Sequence, residues 1–459
     1  MAEAGEELQI HDDNGALTAE FVQAVSDAID ERDAKRLRAL VKPMHVADIA
    51  DLIEFLRPAE RPIFVELQGR TFDPEVLPEL DEAVRDVIIE HLPNQTVATA
   101  AKKLETDDAV YLLEDLDEQD QQEILSKMPK AEREAVRRSL DYEEGSAGRL
   151  MQSQFVAVPA FWSVGQTIDY MRTEDDLPNS FSEIFVIDLR FHLVGTVPVS
   201  RLLRTKREVS IEDLMDTEQT IFNVDDDRED VAYKFEQYNL VSAAVVDVNE
   251  RLVGMITIDD VVDVIREATE EDMARMAGLG DEEITDTVFT TTKARFIWLF
   301  VNLLTAVLAS WVISLFDATI EQMVALAILM PIVASMGGNA GTQTMTVAVR
   351  AIATRDLGQV NAARVIGREA TVGIVNGAMF ALIMGAFTVL WFGSEQLGIV
   401  IGIAMIVNLI VAALAGILIP LTLDRMDVDP AIASSVFVTT VTDVVGFFAF
   451  LGLAALWLV

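Results

Sequence analysis

Cysteine is absent from this chain of 459 residues, so it can build neither a disulfide nor a thiolate metal site. Histidine is nearly as scarce: His11, His45, His91 and His192 are the only four, and all lie in the first half. No nucleophile–base set and no phosphate-cradling loop accompanies them, so nothing supports an enzyme. Basic residues are few, 35 against 75 acids, giving a net charge of −40. A field of that sign repels nucleic acid and enriches cations, so no nucleic-acid partner is expected. Residues 1–13 are acidic and lack an apolar core, so no signal peptide is read there and the N-terminus is expected in the cytosol. These absences leave open the chemistry of hard cations, which asks only for oxygen ligands.

The charge is unevenly placed. From Lys293 onward nine acids face seven bases, and the preceding residues carry a net −38. An acidic soluble part is therefore joined to a nearly neutral apolar part, and the length suggests about three domains. Apolar stretches at 296–316, 322–349, 370–393, 396–423 and 430–459, free of charge but for one residue in the last, each exceed the roughly 20 residues needed to cross a hydrocarbon core. Arg350, Arg355, Arg364 and Arg368 fall between the second and third stretches, whereas Asp317 and Glu321 separate the first two. The positive-inside rule puts the Arg-rich loop in the cytosol, and five spans then place the C-terminus outside.

Asp443 is the only charge in 430–459. A carboxylate at membrane depth costs roughly 2.5–3.5 kcal/mol on insertion scales and usually faces a bundle interior or a water path. Ser435, Thr439, Asp443 and Gly446 share one helical face, which suits a pore lining; an internal packing role is the alternative. The second span is expected to be interrupted by Pro331 and by residues 335–343, SMGGNAGTQ. Gly337 and Gly341 alone fit simple helix packing, but that does not explain Asn339 and Gln343 beside them.

In the soluble part, residues 40–140 show apolar positions at three- and four-residue spacing, punctuated by Pro58, Pro62, Pro74, Pro78, Pro93 and Pro129. That predicts short stacked helices forming a superhelical domain. Residues 185–199 then repeat at 244–258 with a constant offset of 59, each copy reading strand, turn, strand, helix. This resembles a tandem pair of cystathionine β-synthase (CBS) domains, a regulatory module. In its second copy Gly254, Thr257 and Asp260 match the pattern with which adenosine-binding members hold ribose, implying an ATP site at Thr257 and Asp260; structural use of the same residues is the alternative. The first copy departs from the pattern at Pro198 and Arg201. Acids gather at 225–230, at Asp259, Asp260 and Asp263, at 270–272 and at 281–283. Solvated faces explain most such runs, but carboxylates brought together at domain edges would make a divalent-cation switch.

In this order the pieces resemble the MgtE family of magnesium channels and transporters over almost the whole length. The supporting motifs are YEEGSAGRLM at 142–151, the CBS pair, Glu271-Asp272-Met273, Pro331 to Gln343, and Asp429-Pro430 onward to Asp443. The resemblance implies a multidomain fold: an α-helical superhelical N domain (1–145), α+β tandem CBS domains (146–265), a connecting plug helix (266–292) and an all-α five-helix transmembrane domain (293–459). It further implies a homodimer in the lipid of a bacterial cytoplasmic (inner) membrane. Mg²⁺ would pass down its gradient, with Asp443 as the pore carboxylate and Gly338, Asn339 and Thr439 assisting. Cytosolic Mg²⁺ would close the pore by binding Asp260, Asp263, Glu271, Asp272, Asp227 and Glu229. Thr342 stands where many members have Asn, and Asn239 where an acid is common. Ligand type alone leaves Co²⁺ or Mn²⁺ open as cargo, and a non-transporting nucleotide sensor is the reading from another class.

Overall fold

The computed structural model describes residues 9–114, 116–174, 177–178, 180–277, 279, 288–358, 360–426 and 428–458. They fall into two compact units, 1–266 and 267–459.

The first unit opens with short helices from Ala19–Asp30 to Lys130–Leu140. Their ends are set locally. Thr18, Asp33 and Asp117 accept hydrogen bonds from backbone N–H groups of the first turns they precede, and Pro62 sits in the first turn of Arg61–Gln68, where its missing N–H costs nothing. One face of each helix feeds a core containing Phe21, Leu37, Leu52, Phe64, Val84 and Leu112, all nearly inaccessible. Each such side chain contributes about 1.5–3 kcal/mol of burial.

Two small sheets follow, formed by β1 (Ala157–Pro159), β2 (Glu183–Ile187) and β3 (Leu193–Pro198), then β4 (Ile221–Asn223), β5 (Ser242–Val246) and β6 (Leu252–Thr257). In each, the first strand runs parallel to the second and the second antiparallel to the third. Phe185 pairs with Thr196 and Ala244 with Met255, so the register repeats at the sequence offset of 59. The edge strands β1 and β4 escape sequence reading because three residues carry no periodicity. The sheets meet through Phe185, Ile187, Ala244, Leu252 and Met255.

The motif at 142–151 joins the helical part to the second sheet. Ala147 N donates to the Asp226 carbonyl and Gly148 N to that of Val224, while Arg228 N donates back to the Gly145 carbonyl. A Cβ at Gly148 would lie 2.7 Å from the Tyr142 ring and 3.0 Å from the Val224 carbonyl, so only glycine permits this approach.

Among the described residues the second unit holds five helices long and apolar enough to cross a membrane: Val288–Ser314, Ala325–Ala353, Ala362–Phe392, Glu395–Asp424 and Pro430–Trp457. The fourth is the most enclosed and packs against the second, third and fifth. The first leaves Phe296, Leu299, Phe300, Leu303, Leu304 and Trp311 exposed, an apolar surface that needs lipid or protein over it. Contrary to expectation, the second span is one continuous helix through 335–343. Pro331 removes a single intrahelical donor in its second turn, and the helix continues past it.

Candidate functional site

On the fifth span Asp443 is half-buried and makes no hydrogen bond or ion pair among the described residues. Ser435 and Thr439 are half-buried on the same face. The Thr439 hydroxyl donates to the Ser435 carbonyl at 2.9 Å and that of Thr442 to the Thr439 carbonyl at 3.0 Å. Both hydroxyls bond back into their own helix; Thr442 is wholly buried, whereas half-buried Thr439 keeps its lone pairs available as a neutral oxygen acceptor.

The second span divides its motif between two faces. Gly337 lies against Asn408 of the fourth span, and a Cβ at Gly341 would come 2.5 Å from Val438 and 3.5 Å from Thr442 of the fifth. The close-packing reading therefore holds for Gly337 and Gly341. Gly338 faces open space, and Asn339 is exposed together with Ser335, Thr342, Gln343 and Thr346. Asn339 Nδ2 reaches Ser335 Oγ at 3.5 Å. A polar stripe on an otherwise apolar helix is costly against lipid and suits a water-filled path.

Within the same unit, residues 267–276 end beside the fifth span. Arg275 pairs with Glu271, one turn back on its own helix, and with Asp429. Asp429 caps the fifth span, accepting from Ala431 N at 2.7 Å. Met276 packs near Met345, Val349, Ala431 and Val438. Glu271 is thus held by a guanidinium, and Asp272 beside it is half-buried. The acids at 281–283 lie outside the described residues.

In the first unit the expected sensing residues take different roles. Asp227 caps the helix Arg228–Tyr238, accepting from Glu229 N at 2.8 Å, and Glu229 is exposed. Asp263 pairs with Arg266 at 3.3 Å. Asn239 adopts left-handed φ and ψ and ends that same helix, a capping role for which Asn is favoured after Gly. In the first CBS copy Arg201 pairs with Asp216 at 2.9 Å.

Asp260 belongs to a cluster that sequence reading missed. The Thr257 hydroxyl donates to its Oδ2 at 2.7 Å. Facing it from the helix Thr106–Leu113 are the buried Asp107 and the half-buried Asp108, with Glu105 at the rim. Burial pushes Asp108 up to about 7, reinforced by the charges of Glu105, Glu79, Asp259 and Glu75. Asp260 is likewise pushed to about 7 by burial, the Thr257 hydrogen bond opposing and Asp259 and Asp108 reinforcing. Asp107 is raised well above the carboxylate range by burial, then by Asp260 and Asp108. The Thr106 hydroxyl lies 2.6 Å from that of Ser153, and Arg149 lies 3.5 Å from Glu114, so polar contacts flank the acids. Among the described residues no three carboxylate or imidazole groups form a ready cage for a bare ion.

Comparison with known proteins matches this architecture part by part. The "MgtE intracellular N domain" profile matches residues 44–145, the CBS domain profile 211–267, and the MgtE "Divalent cation transporter" profile 330–453. The magnesium transporter MgtE of Enterococcus faecalis is 31% identical over 323 residues, covering 70% of this chain and 71% of that protein. The chain belongs to the MgtE family of magnesium transporters. The member from Thermus thermophilus is 29% identical over 447 residues, covering 95% of this chain and 98% of its own. Among solved structures, the cytosolic domain of the Mg²⁺ channel MgtE in complex with ATP is similar at 26% identity, TM-score 0.49, covering 53% of this chain and 99% of that one. As a member of a transporter family with five apolar helices, the chain is an integral membrane protein.

Proposed function

We propose that this chain carries Mg²⁺ across a bacterial cytoplasmic membrane into the cytosol, as a homodimer whose pore is lined by the second and fifth spans. The observation that carries the reading is Asp443, a half-buried carboxylate without a partner on a helix face that also presents Ser435 and Thr439. Mg²⁺ dehydrates reluctantly and keeps most of its waters, so one carboxylate from each copy suits it better than a dehydrated cage. Gly338 and Asn339 on the second span supply neutral oxygens nearby in sequence to the tight contact of Gly341 with Val438. In this reading the N-terminus lies in the cytosol and the C-terminus outside. Uptake into liposomes reconstituted with the full chain tests it: Asp443→Ala should abolish Mg²⁺ entry, and unchanged entry would remove Asp443 from the path.

Cytosolic Mg²⁺ closes the path in this reading, by relieving the repulsion among Asp107, Asp108, Asp260 and their acidic neighbours. The residues fit such an ion. Burial and like charge hold these carboxyls near neutrality, so a cation that lets them ionise in place favours the docked arrangement. A hydrated Mg²⁺ needs only one or two direct carboxylates, which agrees with the absence of a ready cage among the described residues. Glu271, Asp272 and Asp429 form the second cation-responsive place, at the foot of the fifth span. ATP is assigned to Thr257 and Asp260, where the 2.7 Å hydrogen bond orients the carboxylate beside the end of β6.

A further inference from the structure

Asn408 stands in the middle of the fourth span, wholly buried, and is the one polar side chain in the run 397–421. Its Nδ2 donates to the Val333 carbonyl of the second span at 2.8 Å, and its Oδ1 has no hydrogen-bond partner among the described residues. Two glycines enclose the amide, one from each flanking helix. A Cβ at Gly446 of the fifth span would lie 2.8 Å from Nδ2 and 3.2 Å from Oδ1, and a Cβ at Gly337 of the second span would also strike the amide. Gly446 is three residues from Asp443, and Gly337 adjoins Gly338. The amide is therefore a wedge between the two helices that carry the ion path.

Leucine has the same branched heavy-atom outline, though bulkier, and would leave no buried acceptor unbonded; such acceptors are uncommon enough to need an explanation. Protein interiors are close-packed, so the thickness of a wedge is transmitted to the elements on either side. We propose that Asn408 is a positioning residue for ion selectivity: its amide, fastened to the Val333 carbonyl and clasped by Gly337 and Gly446, fixes the spacing between Gly338 and Asp443. This rests on the reading of Asp443 as the pore carboxylate. A displacement of about 1 Å in an oriented site changes rates by about 100-fold, so a change of wedge acts on discrimination between ions before it abolishes passage.

The test uses the full chain in liposomes, with Mg²⁺ and Ca²⁺ uptake measured for Asn408→Leu, Asn408→Ala, Gly446→Ala, the double variant N408A/G446A, and Asp443→Ala. Asn408→Leu and Asn408→Ala should each keep Mg²⁺ uptake within about threefold while lowering the Mg²⁺-to-Ca²⁺ ratio about tenfold. Gly446→Ala should lose about tenfold in uptake, because its methyl meets the amide, and adding Asn408→Ala should restore uptake to the level of Asn408→Ala alone. An unaltered ion ratio in both Asn408 variants, or a Gly446→Ala defect that Asn408→Ala does not relieve, overturns the assignment. If Asn408→Leu fails to fold, Asn408→Ala and the double variant carry the same outcomes. Normal Mg²⁺ uptake by Asp443→Ala sinks the pore reading instead, while the Gly446–Asn408 rescue still reports on the wedge.

Discussion

Neutralising Asp108 should stabilise the Mg²⁺-free protein. Burial and the charges of Glu105, Glu79, Asp259 and Glu75 push this carboxyl from 3.8 to about 7. Holding the proton up to about 7 rather than about 4, at about 1.36 kcal/mol per pH unit, costs the folded chain as much as about 4 kcal/mol. The sign follows from the raised pKa. Below about 4 both folded and unfolded chains hold the proton and nothing is lost; as pH rises from about 4 to about 7 the folded chain resists ionisation and loses stability; above about 7 the loss is complete. Asp108→Asn keeps the shape and removes the charge. Calorimetry of the full chain in detergent at pH 7.5 without Mg²⁺ should show the transition of the first unit raised by as much as about 8 °C, taking about 2 °C per kcal/mol for a unit of this size. At pH 5 the gain should shrink to about 3 °C, since only about 1.6 kcal/mol of the penalty has developed there. Mg²⁺ at ten times its dissociation constant stabilises the parent by about 1.4 kcal/mol through mass action, and the variant should gain less than half of that. A variant that melts at or below the parent at pH 7.5, or that gains as much from Mg²⁺, would refute the reasoning.

Two further outcomes follow from the charges around the cluster and the fifth span. Arg275→Gln leaves Glu271 and Asp429 without their tethered cation; with about 1 kcal/mol lost from a partly exposed pair, Mg²⁺ should inhibit flux at roughly fivefold lower cytosolic concentration, and an unmoved inhibition curve in inside-out patches would deny these carboxylates a part in gating. Thr257→Val removes the donor to Asp260, so ATP retention in equilibrium dialysis should fall about tenfold, whereas unchanged retention would leave the hydroxyl a purely structural role.

Sequence reading succeeded where one segment decides its own structure. Helical periodicity and prolines place the short helices of 40–140, a constant offset of 59 reproduces the pairing of β2 with β3 and of β5 with β6, and uncharged length gives the five apolar helices. It stopped where two distant segments decide together. Asp107 and Asp108 open a helix, where favourable interaction with the helix dipole already accounts for two acids. Burial first, and then charges that include Asp259 and Asp260 some 150 residues later, turn them into a penalty. The glycine motif shows the same limit. Periodicity puts Gly337 and Gly338 on neighbouring faces, but which of them packs and which opens depends on Asn408 from another helix.

The acidic run at 270–272 shows why counting charge misleads near a membrane. Read alone, Glu271 and Asp272 repel and wait for a divalent ion. Arg275, one turn along, faces Glu271 and reaches Asp429 at the cap of the helix that carries Asp443. The negative charge at this junction is thus already met in part by a cation the chain supplies. An incoming Mg²⁺ must compete with that guanidinium for the same oxygens, so the net gain on binding is the difference between two cations rather than the full attraction of one. A tethered competitor raises the Mg²⁺ concentration needed to act, whereas Asp107, Asp108 and Asp260 make no ion pair among the described residues and, in the proposed reading, would meet Mg²⁺ without that competition. Two cation-responsive places with different built-in opposition would answer to different Mg²⁺ levels, the cluster of the first unit at the lower one.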